Sequence, residues 1–191
     1  MAAGYDISTN PDPWRFQWHP EIWVLIIALV AGYVYAVRTI GPKVAPEGHV
    51  VSRRQVVTFA CMIVLLWVST DWPVHDIAEE YLYSVHMIQH MALTYFMPPL
   101  VVLATPEWFV RTLVGRGRAL RALNFMAHPV RAAFVFNVIV MVSHVPAVVN
   151  RSVSNGPLHY SIHVLLVTTS ILMWLPICGP LKEYHISPMS K

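Results

Sequence analysis

The sequence predicts an all-α fold: a polytopic integral membrane helix bundle of about five transmembrane helices, N-terminus outside and C-terminus cytoplasmic. Three observations predict it. Hydrophobic residues make up 56% of the 191 and charged residues only 12%, about half the charged share of a typical globular domain. Five apolar stretches approach the roughly 20 residues that a spanning helix needs. The basic residues fall almost wholly in alternate connections. All but Arg15 and Arg151 lie in 38–54, 105–131 or the tail, whereas Asp71, Asp76, Glu79 and Glu80 share the opposite side with Asp6, Asp12 and Glu21. By the positive-inside rule the basic connections are cytoplasmic and the 71–81 and 151–157 loops are outside.

Taken in order, residues 1–21 form an extracytoplasmic segment. It is polar and aromatic and lacks the basic start of a cleavable signal peptide. Residues 22–178 form the transmembrane bundle, with spans at about 22–38, 55–70, 82–104, 131–150 and 158–178. Pro98, Pro99, Pro146 and Pro176 fall inside spans or at their ends, where they open the hydrogen-bond ladder. Tryptophans such as Trp23, Trp67, Trp72 and Trp174 lie near span borders, as an interfacial belt requires. Residues 179–191 form a cytoplasmic tail. Its sequence, "GPLKEYHISPMSK", looks like a loop about to feed another helix, so a shortened chain is the expectation.

Composition and motifs exclude several functions. The net charge of +3 is not gathered on one basic face, so no nucleic-acid partner is expected and the lipid bilayer is the first partner. Cys61 and Cys178 lie in separate apolar segments without CxxC spacing, which indicates neither a disulfide framework nor a thiolate zinc site. No nucleophile elbow, P-loop or dinucleotide fingerprint appears.

The histidines carry the functional signal. His19, His49, His128 and His185 lie in tails and loops and call for no functional explanation. The third span enters from outside, so at 1.5 Å per residue His86 lies roughly 6 Å and His90 roughly 12 Å below its start. His144 lies roughly 9 Å and His163 roughly 8 Å deep, with His159 at the mouth and His75 in the loop above. Within each pair the i, i+4 spacing puts both rings on one helical face. Ionisable groups at membrane depth are costly and face a cavity or one another. A lone membrane histidine is more often an interhelical hydrogen-bonding residue, and a methionine stripe is more often packing. Two HxxxH pairs at matched depth point instead to a metal or a haem.

Three chemistries remain open on the residues. Histidines facing each other can hold haem axially; imidazoles, with or without a thioether, can hold copper; a three-histidine zinc site with Asp76 or Glu79 could serve a membrane hydrolase. The zincin motif itself fails, because Met87 stands where H-E-x-x-H needs its glutamate.

The stretches "SVHMIQHMALTYFMPPLVVLATPEW", "FNVIVMVSHVPAVVN" and "LHYSIHVLLVTTSILMWLPICGP" resemble the CtaG family of multi-pass cytochrome c oxidase assembly factors, over about residues 15–190. The matching positions are His86, Gln89, His90, His144, Pro146, His159, His163, Trp174 and Pro176. Val142-Ser143 before His144 departs from the family's usual aromatic, and family members continue into further spans beyond "ISPMSK". The resemblance implies a non-enzymatic role in maturing the haem–copper oxidase in the bacterial plasma membrane, with oxidase subunits as partners and copper as the suspected metal. His86, His90 and His163 are then the leading ligands, with His144 and His159 next. His75, Met87 and Met91 are secondary candidates, and Gln89 is expected to orient an imidazole.

Overall fold

The computed structural model describes residues 14–45, 50–115 and 117–181. Among them the chain forms helices and no strand: α1 Pro20–Val44, α2 Arg53–Thr70, α3 Val74–Asp76, α4 Tyr83–Ala104, α5 Glu107–Val114, α6 Arg118–Met126, α7 Pro129–Ser143, α8 Pro146–Val153 and α9 Gly156–Cys178. Four helices, α1, α2, α4 and α9, are long and apolar enough to cross a membrane. A fifth span arises if the α6–α7 pair, bent by 72° between Met126 and Pro129, counts as one.

Local chemistry sets the boundaries. Ser52 opens α2 with a capping box: its hydroxyl accepts from the Gln55 amide while the Gln55 side chain accepts from the Ser52 amide, which satisfies donors the first turn leaves free. Asn155 caps α9 by accepting from the Leu158 amide at 3.1 Å. The expected segment 131–150 does not run as one helix. It stops at Ser143 and restarts at Pro146, because proline lacks the amide that would continue the ladder and suits a first helical turn. The connection expected at 105–131 folds into α5 and α6, whose bend into α7 is held by Arg131, with Nε donating to the Phe125 carbonyl at 2.8 Å and the guanidinium 4.0 Å over the Phe125 ring.

Helices α4 and α9 pack against each other, α2 packs on the second half of α4, and α7 packs on α9. The core between α1, α2 and α4 is Ile26, Met62, Leu66, Leu93 and Met97. Mid-way along α4, Ala92–Phe96 widens into a π-helical turn. Pro98 cannot donate to the Thr94 carbonyl four residues back. The fully buried Ser170 of α9 donates to that carbonyl instead, as neighbouring helices do for broken membrane helices.

The exterior is strongly apolar: Ile27, Val30, Val34, Val57, Val64, Phe134 and Val164 all point outward. Such a surface is a liability in water and the expected surface in lipid. Chain reversals then group the ends. The segment before α1, the 71–82 connection and the turn between α7 and α9 share one end, where Gln17 Nε2 donates to Glu80 at 3.2 Å and Trp72 Nε1 to the Arg15 carbonyl at 3.2 Å. At the other end Trp108 Nε1 donates to the Val50 carbonyl at 2.6 Å.

Candidate metal centre

The first turns of α4 and α9 and the last turn of α7 meet at the Gln17–Trp72 end, and each delivers histidines there. On α4, His86 and His90 stand one turn apart with Nε2 atoms 2.9 Å from each other. On α9, His159 and His163 repeat the arrangement at 3.0 Å. The two pairs meet through His90 and His163, whose rings stack with centroids 4.5 Å apart and planes at 23°.

Glu79, in the π-helical turn Ile77–Tyr81, closes these four rings into a loop. Its Oε1 lies 3.0 Å from His86 Nδ1 and 3.4 Å from His159 Nε2. Burial alone would raise the pKa of the Glu79 carboxyl, but hydrogen bonds from His159 and His86 overcome it and hold the group well below the usual carboxylate range. A carboxylate that accepts from His86 Nδ1 leaves the His86 Nε2 lone pair free and aimed at His90.

The other expected residues take different places. His144, just past the end of α7, is exposed and its ring centroid lies 6.2 Å from that of His90. Its Nδ1 donates to the Val140 carbonyl at 2.7 Å. His75 is held by Gln89, whose Nε2 donates to His75 Nδ1 at 3.2 Å and to the Ser69 carbonyl at 2.7 Å. Gln89 therefore bonds an imidazole, but that of His75 rather than a ring of its own helix. Burial lowers the His75 pKa. Met87 and Met91 follow His86 and His90 by one residue, about 100° round the helix, and Met91 is 52% exposed on the apolar exterior.

Sequence reasoning passed over two residues. His19 needs an explanation after all: its Nε2 lies 2.7 Å from the buried Asp76 Oδ1 and its ring meets that of His75 edge-on at 5.1 Å. Nothing in the sequence connects positions 57 residues apart across two long helices. Glu79 entered only as a hydrolase carboxylate. Positions 79, 86 and 90 have helical spacing, but extended Leu82 breaks the helix between Glu79 and His86, so that period carries no signal. His128 lies at the opposite end, ahead of α7; His49 and His185 lie outside the described residues.

Donor atoms of His86, His90 and His163 all lie within 4.8 Å of one another. Metal–imidazole bonds of about 2.0 Å put neighbouring donors about 3.3 Å apart in a tetrahedral shell, so a small opening of the 2.9 Å contact admits an ion. The residues therefore fit a transition metal. Two larger cavities lie elsewhere, about 570 Å³ beside Trp108 and Arg111 and about 340 Å³ beside Tyr33 and Phe59, and neither is lined by a histidine.

The family described as cytochrome c oxidase caa3 assembly factor (Caa3_CtaG) matches residues 31–191, which include the whole histidine loop and Glu79. No curated protein and no solved structure matches the chain. On a match that covers most of its length, this helical membrane chain belongs to the Caa3_CtaG family of cytochrome c oxidase assembly factors.

Proposed function

We propose that the protein assists oxidase assembly by binding copper through His86, His90 and His163 and presenting it to oxidase subunits at the outer face of the bacterial plasma membrane. The observation that carries this reading is the convergence of three imidazoles from two helices at one end of the bundle. Copper is cargo here, and imidazole is a ligand type that suits it. The chain's own part is positional. His86 is oriented by Glu79, His90 and His163 are held by their mutual stacking, and the turn at His144 leaves the rings near the bundle's end. Charge distribution supports the orientation, because the histidine end carries the acidic connections and the opposite end the basic ones. No turnover chemistry is needed.

The stacked rings favour a bare ion over haem, since axial ligation needs ring edges opposed across a porphyrin and these rings face each other at 4.5 Å. The hydrolase reading loses Asp76, which is turned to His19, and keeps only Glu79, whose carboxylate is engaged by His86 and His159. Metal analysis and an absorption spectrum of the detergent-purified protein test the reading. Copper should be bound, the three-imidazole coordination should be lost from the His86→Ala, His90→Ala double variant, and oxidase copper should fall in cells that carry it. A Soret band, tightly held zinc, or a double variant that still supports oxidase activity would each overturn it.

A further inference from the structure

Two groups at this end each bring metal-competent atoms within 4.8 Å of one another, and they share a residue: His86, His90 and His163, and Glu79, His159 and His163. We propose that Glu79, His159 and His163 form a second ion position, nearer to solvent, that takes copper first and hands it to the three-imidazole position through the shared His163. This rests on the copper-binding reading above.

Geometry comes first. Glu79 Oε1 lies 3.4 Å from His159 Nε2, which lies 3.0 Å from His163 Nε2, close to the roughly 3.3 Å between donors on one tetrahedral ion. Access comes second. The Glu79 side chain is 31% exposed, against 19% for His159 and 15% for His86, so an ion from water meets the carboxylate before the inner imidazoles. Chemistry gives the direction: a carboxylate attracts a hydrated cation by charge and replaces its water oxygen for oxygen, whereas the inner position offers nitrogen alone. Transfer is ligand exchange. Bonds to Glu79 and His159 break as bonds to His86 and His90 form, the oxidation state does not change, and Glu79 is released to bond His86 Nδ1 and orient it. Because His163 serves both positions, one ion is held at a time.

X-ray absorption on the full chain in detergent, loaded with copper alone, tests the proposal. The wild-type spectrum should show the three imidazoles of the inner group. His86→Asn with His90→Asn should retain copper, now with two imidazoles and an oxygen donor, and adding Glu79→Gln should abolish it. Copper bound by the wild type but absent from the double variant overturns the second position and leaves the copper reading standing; a wild type that binds no copper overturns both. Should the double variant not fold, Glu79→Gln alone leaves α4 intact and should slow copper loading about tenfold, within the range seen when groups around a metal site are changed. An unchanged loading rate overturns the proposal.

Discussion

His75 shows how one half-buried ring ties stability to pH. Its Nδ1 accepts from Gln89, which only the neutral ring can do, and burial lowers its pKa below the 6.5 of a free imidazole. Beneath that value the unfolded chain binds more protons than the folded one, so stability rises with pH in that window. The contribution is complete above pH 6.5 and is lost as pH falls further. The melting temperature of metal-free protein in detergent should therefore drop on acidification below 6.5, and His75→Gln should flatten that slope relative to the parent. The two HxxxH pairs were legible in the sequence because helical period fixes which rings share a face. The link from Gln89 to His75 and the return of Glu79 onto the rings were not, because both depend on how the 71–82 connection folds back over α4. Leu82, extended at φ −131° and ψ 105°, breaks the helix there, and no local pattern announces where the chain goes next.

Among the elements, α4 and α9 are joined where α4 is weakest. Ser170→Ala should leave the buried Thr94 carbonyl without its donor and cost about 1–3 kcal/mol, read as a lower melting temperature. Pro98→Ala restores a backbone donor four residues along, so Ser170→Ala should cost less in that background; equal costs in the two backgrounds would mean that Ser170 acts by packing alone. Long apolar runs made α1, α2, α4 and α9 plain in the sequence. The α7–α8 break was readable only as a proline near a span end, and α5 and α6 were hidden in a stretch marked chiefly by its arginines. Their exposed Arg111, Arg118 and Arg121 beside half-buried apolar residues suit helices lying along a membrane surface.

Across the whole molecule the apolar exterior and the segregation of charge make one prediction. In a chain with Cys61 and Cys178 replaced by alanine, a membrane-impermeant maleimide should label Ser154→Cys in intact cells and Arg118→Cys only after lysis. The reverse pattern would turn the histidine end inward and remove the proposed site of delivery. The contact between Ser170 and Thr94 has a mechanical consequence at this scale. Thr94 lies one turn below His90, about 6 Å along the axis, so the two helices are pinned close beneath the rings and joined above through the histidines and Glu79. A tilt of about ten degrees about that pin parts His90 and His163 by about 1 Å over such a lever arm. A partner that presses on the upper turns thus needs little travel to open the jaws.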